Sequence, residues 1–363
     1  MKIGIDISQV VYKGSGVARF TQGLIKSICA NESRNDWLFF FSSLRDSLDK
    51  DIENQILSRG FKLVKYPFPP TFLALLWNNL HFVNINALIG KLDWFITSDW
   101  TEAPANCKKA TVVHDLVYLR YPDTVEAKIK QTQQQRLKWV KKESQLIFAD
   151  SASTKQDLID YLQIAASKII VNYPGVEIDR PSYKEISSIY SKFNITKPFI
   201  LTVGKIEPRK NIGRLIEAFE QLKIDKYQLL VVGMEGWGDK LKSAINVSFL
   251  GYVSDQDLAA LYSQCLCFVY PSLWEGFGYP IVEAMKLGAP VITSATSSLK
   301  EIAKDSALLF DPFDSTDINR ALIRIIEDNN LRIQLAIKAK KQALHFSWKN
   351  YYQIMINALE NEN

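Results

Sequence analysis

One stretch in the second half of the chain constrains the fold more than any other. Residues 266–270 form an apolar run that predicts a buried β-strand. A glycine loop follows at 276–278, and Pro280 suits the first turn of a helix because its missing N–H would have no partner there. Gly288 and Pro290 then predict the end of that helix. The stretch therefore predicts a strand, a glycine loop and a helix, which is the repeating unit of a parallel α/β sheet.

The same alternation of strand and helix occurs in both halves of the chain. Isoleucines alternate within the first eight residues, and a new strand begins with the apolar run at 199–203. Residues 177–197, rich in charges and serines, are interpreted as an interdomain linker. We predict an α/β protein with two doubly wound parallel sheets, in an N-terminal domain of residues 1–180 and a C-terminal domain of residues 190–345.

The composition is that of a globular protein long enough for two domains. The 363 residues are 47% hydrophobic and 23% charged, and the net charge of +5 is well short of a nucleic-acid-binding signature. The four cysteines have no metal-binding spacing, so we expect a reduced, cytoplasmic setting. The N-terminus lacks a signal-peptide profile, and no apolar run approaches the roughly 18 residues that a membrane span needs.

Two glutamates flank the glycine loop of the opening stretch. Glu275 precedes Gly276 and Gly278, and Glu283 lies one turn inside the predicted helix. Glycines let the backbone approach a ligand closely, and free N–H groups at a helix start favour anions and hydroxyl oxygens. A carboxylate can accept hydrogen bonds from two neighbouring hydroxyls. These residues predict a cradle for a charged or polyhydroxyl ligand, although solvated glutamates after an ordinary turn would share the pattern.

A pair of cations follows the first strand of the C-terminal domain. Arg209 and Lys210 come after the strand at 199–203 and stand at the start of a predicted helix. Two positive charges beside helix-start N–H groups suit a diphosphate. Adjacent cations on a surface loop are also common, so this alternative stays open for the pair taken alone.

Histidine is rare in this chain, and His114 is the one that we select as functional. It follows the predicted strand at 110–113, and ligands bind at the carboxyl ends of strands in open α/β sheets. His81 and His345 adjoin apolar segments and are predicted to be structural. A core histidine with satisfied hydrogen bonds remains the alternative for His114.

A glycine pair near the N-terminus resembles a dinucleotide fingerprint only weakly. Gly14 and Gly16 lie between a strand and a helix, but Arg19 occupies the position of the third glycine. The next strand, at 37–42, ends in serines instead of an acidic residue that would hold a ribose. Both features argue against a nicotinamide-dependent dehydrogenase.

Asp255 and Asp257 match the letters of an Asp-x-Asp metal motif. Because Ser254 precedes them and an apolar periodicity follows, they fit the first turn of a helix better. We therefore predict no metal site.

Two further segments have open interpretations. The helix at 72–77 is predicted to pack in the core, and an acceptor-facing or membrane-facing ridge is the alternative. The basic helix at 126–143 is predicted to be a solvated face, but it could also attract an anionic membrane surface.

The spacing from Glu275 to Glu283 resembles the E-x7-E signature of the family-4 retaining glycosyltransferases, also called glycosyl transferases group 1. Residues 204–211 resemble the diphosphate motif of that family, and His114-Asp115 resembles its N-domain histidine motif. The resemblance covers nearly the whole chain. It implies the GT-B fold, in which two Rossmann-like domains face a central cleft and a C-terminal helix, here within 346–363, crosses back to the N-terminal domain.

The resemblance also implies how a nucleotide-sugar donor is bound. Arg209 and Lys210 would hold its diphosphate, and Glu283 would bind the ribose hydroxyls. Residues near Val253 would flank the base, and Gly16 would close over the phosphates.

The transferred sugar is implied to contact a second group of residues. Glu275, with the backbone amides of Phe277 and Gly278, would hold this sugar, and His114 would contact it and assist at the reaction centre. Lys205 stands where many members of the family have Arg or Thr, so its role stays open.

The implied reaction is metal-independent transfer of a hexose with retention at the anomeric carbon. The motif Glu-Pro-Arg-Lys-Asn and Trp77 are most similar to the mannosyltransferase branch, which implies GDP-mannose as donor and a glycan or lipid-linked acceptor. Such enzymes serve polysaccharide and lipopolysaccharide biosynthesis in the cytoplasm or on the inner face of its membrane. A nicotinamide-dependent oxidoreductase and a catalytically silent nucleotide-sugar binding protein are the alternatives.

Overall fold

The computed structural model describes all residues except 13, 33, 224, 239–240, 242–243 and 363. The chain forms two compact units. Unit 1 comprises Met1–Gly175 together with Ser347–Asn363, and unit 2 comprises Val176–Phe346.

Unit 1 is built on a parallel sheet of seven strands. The strands are β1 (Lys2–Asp6), β2 (Asp36–Ser42), β3 (Lys62–Tyr66), β4 (Trp94–Ser98), β5 (Lys108–Val113), β6 (Leu146–Ala149) and β7 (Ile169–Val171). Their spatial order is β3-β2-β1-β4-β5-β6-β7, so the direction of winding reverses between β1 and β4. Ligands bind at this kind of switch point in open α/β sheets.

Helices connect the strands of unit 1. They are α1 (Gly16–Asn31), α2 (Lys50–Ser58), α3 (Pro70–Leu73), α4 (Ile85–Ile89), α5 (Val117–Arg120), α6 (Ala127–Glu143) and α7 (Ala152–Leu162). The central strands are apolar along their length, as at Phe39, Phe40 and Phe95, because helices cover both faces of the sheet.

The helix predicted at 72–77 takes an unusual form. α3 continues without a break into a π-helical turn, Ala74–Asn79. Leu73 and Trp77 are buried in the core, as predicted, whereas Phe72 and Leu75 are 43% and 50% exposed. The segment therefore combines a core face with an exposed apolar edge.

Unit 2 has a second parallel sheet, with six strands. They are β8 (Phe199–Val203), β9 (Gln228–Val232), β10 (Val247–Gly251), β11 (Cys267–Tyr270), β12 (Val291–Ser294) and β13 (Ala307–Phe310). Their order is β10-β9-β8-β11-β12-β13, which puts the switch point between β8 and β11. The prediction of two doubly wound sheets is confirmed.

The helices of unit 2 include one in the predicted linker. They are α8 (Tyr183–Lys192), α9 (Ile212–Glu220), α10 (Asp255–Gln264), α11 (Tyr279–Leu287), α12 (Ser297–Ala303), α13 (Ser315–Glu327) and α14 (Asn329–Ala343). The interpretation of 177–197 as a linker was wrong, because α8 begins with a Ser182–Glu185 capping box and packs on α10 through the Lys192–Asp257 ion pair of 2.6 Å. A short amphipathic helix among polar residues gave too weak a periodicity to be recognised.

The last helix, α15 (Trp348–Asn361), packs in unit 1 against α1. Gly23 lies directly beneath the Trp348 ring, where a Cβ atom would overlap the indole. Ser27 Oγ donates to the carbonyl oxygen of Trp348 at 2.8 Å, and Tyr352 donates to the buried carboxylate of Glu32. Within the part of the chain that the structure describes, no helix has both the length and the apolar character needed to cross a bilayer.

Candidate active site

The loops after β8 and β9 approach each other closely at two glycines. Gly204 and Gly233 have φ angles of +155° and +148°, and a Cβ atom on Gly233 would overlap the carbonyl oxygen of Gly204. The chain then turns through a short 3₁₀ helix, Pro208–Lys210, into α9. This path carries Arg209 and Lys210 to the carboxyl end of β8, beside the switch point of the second sheet.

Glu275 lies in the loop after β11, on the other side of that switch point, and forms ion pairs with both cations. Lys210 Nζ lies 2.6 Å from Glu275 Oε1, and Arg209 Nη1 lies 2.9 Å from Oε2. Ser272 Oγ and the Tyr270 hydroxyl also donate to Oε1, at 2.5 and 3.0 Å. Both carboxylate oxygens are therefore occupied within a buried, charged cluster.

The charges of this cluster depend on each other. Burial by itself would raise the pKa of Glu275, but Arg209 and Lys210 more than offset it and lower that pKa to about 2. Burial, with repulsion from Arg209, lowers the pKa of Lys210, and Glu275 opposes this shift. Arg209 has a second carboxylate partner in Glu207, at 2.8 Å. In this structure two carboxylates thus balance two cations. An incoming anion would compete with the carboxylates for the cations.

The glycine loop after Glu275 is held by α12. Ser298 Oγ donates to the carbonyl oxygens of Glu275 and Phe277, at 2.9 Å in each case. Gly278, with a φ of +100°, is the N-cap of α11, and Gly276 is buried between Glu275 and Phe277. These contacts orient the loop at the start of the helix, as the sequence predicted.

Glu283 lies on α11 of unit 2, and Val253 lies just before α10. Glu283 is 3% exposed on α11, and its Oε2 accepts a hydrogen bond of 3.2 Å from the Tyr262 hydroxyl on α10. Val253, 7% exposed, directly precedes Ser254, the N-cap of α10. The two glutamates of the signature thus have different surroundings, because Glu275 meets cations whereas Glu283 meets a hydroxyl.

In unit 1, His114 lies at the carboxyl end of β5 between two polar partners. Its Nδ1 is 2.7 Å from Asp150 Oδ2, and its Nε2 is 3.2 Å from Ser98 Oγ. The ring packs edge-on against Phe20, with 4.7 Å between centroids. Sequence reasoning missed Asp150, which follows β6, and Ser98, which ends β4, although both strands neighbour β5.

The surroundings of His114 favour its charged form. Burial lowers the pKa of the imidazole, but Asp150 and then Asp99 raise it, so that it lies above its ordinary value despite repulsion from Arg136. Asp150 accepts at Nδ1, and Ser98 Oγ is the neighbour of Nε2, so both ring nitrogens have a polar contact within unit 1.

The glycine pair near the N-terminus, Gly14 and Gly16, also lies at the start of a helix. Ser15 Oγ accepts a hydrogen bond of 3.1 Å from the backbone N–H of Ala18, and Gly16 is the exposed first residue of α1. Gly14 has a φ of +79°. Arg19 lies one turn inside α1.

Two predictions about residues outside the site are confirmed. His81 is structural, since it stacks on Trp139 with 3.5 Å between centroids and its Nε2 lies 2.8 Å from Glu143. Asp255 and Asp257 lie in the first turn of α10. No three His, Cys, Asp or Glu side chains in the described ranges are grouped so that they could hold a metal ion.

Comparisons with known proteins agree with this architecture. The family model described as "Glycosyltransferase Family 4" matches residues 15–180, and the one described as "Glycosyl transferases group 1" matches residues 184–342. The O-antigen chain mannosyltransferase B of Escherichia coli is 28% identical over 378 residues, which cover 99% of each chain. The serotype-specific mannosyltransferase WbdA of Escherichia coli is 34% identical over 227 residues, which cover 58% of this chain and 28% of WbdA.

Solved structures give the same fold. Sucrose-phosphate synthase from Thermosynechococcus elongatus has a TM-score of 0.73 at 19% identity, covering 99% of this chain and 98% of its own. HepE of Anabaena, solved in complex with UDP and glucose, has a TM-score of 0.72 at 18% identity, covering 99% and 100%. The solved structures thus show the GT-B fold, and the family models with the named relatives show a glycosyltransferase. The chain belongs to glycosyltransferase family 4, with its C-terminal half in glycosyl transferases group 1.

Proposed function

We propose that this glycosyltransferase moves mannose from GDP-mannose to a glycan or lipid-linked acceptor, with retention at the anomeric carbon and without a metal ion. The observation that carries the proposal is the buried cluster in which Arg209 and Lys210 meet Glu275 at the switch point of the second sheet. Relatives that are named mannosyltransferases support the choice of sugar.

The cation pair provides the electrostatic part of the mechanism. As the glycosidic bond to the diphosphate breaks, negative charge develops on the leaving group. Arg209 and Lys210, held at 2.9 and 2.6 Å from Glu275, are positioned before the donor arrives, and they would stabilise this charge once the diphosphate competes with Glu275 for them. Two fixed cations do the work that a metal ion does in other transferases, which supports a metal-independent reaction.

Residues of unit 2 would bind most of the donor's remaining groups. Glu283 would accept hydrogen bonds from the ribose hydroxyls, and the residues near Val253 would flank the base. The backbone amides of Phe277 and Gly278 would bind the transferred sugar, and Gly276 allows the close approach. Gly16 of unit 1 would close over the phosphates.

Retention would follow from attack by the acceptor hydroxyl on the face that the diphosphate leaves. Glu275 is a poor candidate for a covalent nucleophile, because its Oε1 accepts hydrogen bonds from Lys210, Tyr270 and Ser272. Its pKa of about 2 also makes it a weak base. We assign it to orienting the cations and the sugar. His114, through Nε2, would contact the transferred sugar and assist at the reaction centre.

We also propose that the enzyme works in the cytoplasm at an anionic membrane surface. α6 exposes Lys138, Lys141 and Lys142, and the neighbouring segment exposes Leu80 and Phe82 at 65% and 69%. Each exposed cation contributes about 1 kcal/mol of attraction near an anionic bilayer. Sedimentation with anionic liposomes at low salt tests this, and a protein that stays in the supernatant would contradict it.

A thermal-shift screen of GDP, UDP and ADP sugars in the presence of EDTA tests the main proposal. A ligand at a hundred times its Kd stabilises the folded state by about 2.7 kcal/mol, which is readily detected as a rise in Tm. We expect GDP-mannose to give the largest shift and transfer to continue in EDTA, with an α-linked product from an α-linked donor. Binding of NAD(H) instead of nucleotide sugars, or transfer that EDTA abolishes, would reject it.

A further inference from the structure

Three polar side chains are buried on neighbouring residues in unit 1, beside His114. Asp150 follows β6, Asn172 follows β7 and Tyr351 lies on α15, and none of them is more than 2% exposed. Among the residues that the structure describes, no hydrogen-bond partner is present for Asp150 Oδ1, Asn172 Oδ1 or the Tyr351 hydroxyl. A buried polar atom without a partner is costly, so nearly all such atoms in proteins are satisfied. Three of them on neighbouring residues therefore indicate a shared partner.

Strand pairing and one side-chain hydrogen bond bring these residues together. Ala149 pairs with Val171 in the parallel sheet. Asp150 and Asn172, the next residues, therefore emerge side by side at the carboxyl ends of β6 and β7. Asn172 Nδ2 then donates to the carbonyl oxygen of Tyr351 at 3.1 Å. This bond links α15 to the edge of the sheet that carries the histidine.

The Tyr351 ring belongs to the same aromatic cluster as His114. Phe20 of α1 packs edge-on against both rings, with 5.4 Å between centroids to Tyr351 and 4.7 Å to His114. Burial and then the charge of Asp150 raise the pKa of the Tyr351 hydroxyl well above its ordinary value. The hydroxyl therefore keeps its hydrogen and can donate it, and the carboxylate whose charge acts on it is Asp150.

The three unpartnered atoms match the hydrogen-bonding capacity of one water molecule. A tyrosine hydroxyl can donate, whereas a carboxylate oxygen and an amide oxygen only accept. Water can accept from one donor and donate to two acceptors, and buried waters typically make about three hydrogen bonds. The other oxygen of Asp150, Oδ2, lies 2.7 Å from Nδ1 of His114. A water at Oδ1 would thus connect Tyr351 to the imidazole through a single carboxylate.

We infer that Tyr351 is a positioning residue for His114, and that its hydroxyl donates to a buried water molecule which bonds Asp150 Oδ1 and Asn172 Oδ1. The water holds the carboxylate in place at Nδ1 of the imidazole. The catalytic consequence rests on the proposed role of His114 at the reaction centre, whereas the hydrogen-bonded chain itself does not. Packing of the Tyr351 ring against Phe20, with no part played by the hydroxyl, is the competing explanation.

The chain predicts the direction in which His114 responds to loss of the hydroxyl. Besides Asp150, Asp99 raises the pKa of His114 and Arg136 lowers it, and Asp115 raises the pKa of Asp150. Removal of the hydroxyl changes none of these charges. It leaves the negative charge of Asp150 less compensated by hydrogen bonds, which stabilises the imidazolium beside it. The pKa of His114 should therefore rise.

An NMR titration of His114 in Tyr351→Phe tests the inference without any substrate. We expect the midpoint to rise by about half a pH unit, which corresponds to the loss of one ordinary hydrogen bond. The alkaline limb of the kcat/KM profile, which reports groups of the free enzyme, should move by the same amount. Because the titration needs no donor or acceptor, it stands or falls separately from the proposed reaction.

Two further variants separate the hydroxyl from the packing of the ring. In an Asp150→Asn background, Tyr351→Phe should no longer move the His114 titration, because the charge that the chain compensates is gone. Tyr352→Phe, which removes a neighbouring hydroxyl that donates to Glu32, is the matched control and should leave the titration unchanged.

The Tm of Tyr351→Phe gives a second, independent measurement. If the hydroxyl has the inferred partner, its removal should lower Tm slightly. A hydroxyl buried without a partner is unfavourable, so its removal would instead raise Tm. A raised Tm, or a His114 titration that does not move in Tyr351→Phe, would overturn the inference.

Discussion

Lys210 and Glu275 come from loops on opposite sides of a switch point and meet in an ion pair of 2.6 Å that is almost closed to solvent. Burial alone would favour the neutral form of both. Arg209 and then Lys210 lower the pKa of Glu275, and Glu275 opposes the lowering of the pKa of Lys210. The ion pair therefore links the loops after β8 and β11. Lys210 also provides a positive charge with which an anionic ligand can pair.

Replacing Glu275 by glutamine should damage both stability and activity. The amide keeps the shape but leaves Arg209 and Lys210 buried with less compensation, which costs on the order of 3 kcal/mol for a buried pair. We expect a Tm several degrees lower and a fall in kcat/KM of at least about a hundredfold. Glu220→Gln, at an exposed position in the same unit, is the control. Wild-type kinetics in Glu275→Gln would contradict the assigned role.

The same cluster predicts how stability depends on acid. The pKa of Glu275 is about 2 in the folded protein against an ordinary value of 4.5. Because the folded pKa is the lower one, the carboxylate stabilises the fold above pH 4.5 and loses this contribution as the pH falls towards 2. Denaturation curves across this window should show a smaller loss in Glu275→Gln than in wild type. Parallel losses in the two proteins would show that other carboxylates govern the acid transition.

Asp150→Asn should lower the pKa of His114. Asp150 and Asp99 raise that pKa against the effects of burial and Arg136, so removing the nearer charge leaves a neutral imidazole over a wider pH range. With three histidines in the chain, the titration of His114 can be assigned by NMR against His114→Ala. We expect kcat to fall at least about tenfold with Tm nearly unchanged. A titration curve that does not move would mean that the 2.7 Å contact does not control the imidazole.

Glu283→Ala should weaken donor binding severely. If the carboxylate accepts two hydroxyls of the ribose, its loss costs about 3 kcal/mol, or roughly a hundredfold in Kd for GDP. Tyr262→Phe is the matched control, because it removes the 3.2 Å hydrogen bond to Glu283 while the carboxylate stays. Calorimetric titration with GDP distinguishes the two variants. Equal affinity in Glu283→Ala and wild type would remove Glu283 from the donor site.

Gly23→Ala should destabilise unit 1 by separating α15 from α1. A Cβ atom at this position would overlap the Trp348 indole, and overpacking of this kind costs about 1–3 kcal/mol. The double variant Gly23→Ala with Trp348→Leu should recover part of the loss, because the smaller side chain leaves room. Chemical denaturation of wild type, of Gly23→Ala, of Trp348→Leu and of the double variant gives the coupling energy. Additive losses would show that the two residues are not in contact.

Much of the fold was predictable from local patterns. The stretch from β11 to α11 has an apolar run, glycines with positive φ at both helix ends and a proline in the first turn, so neighbouring residues were enough to predict its elements. The first turn of α10 was predictable for the same reason, since Ser254 caps it. α8 was not recognised, because a polar surface helix has little apolar periodicity to detect.

The sequence by itself determined the order of strands and helices, the glycine loops and the identity of the charged residues at strand ends. Only the tertiary structure decided which of these residues meet. Asp150 is 36 residues from His114, and Glu275 is 65 residues from Lys210, and parallel pairing of strands brings each pair within hydrogen-bond distance. The physical reason is that a charge is held in a buried site by its partners in space, which the sheet topology assigns and no local pattern records.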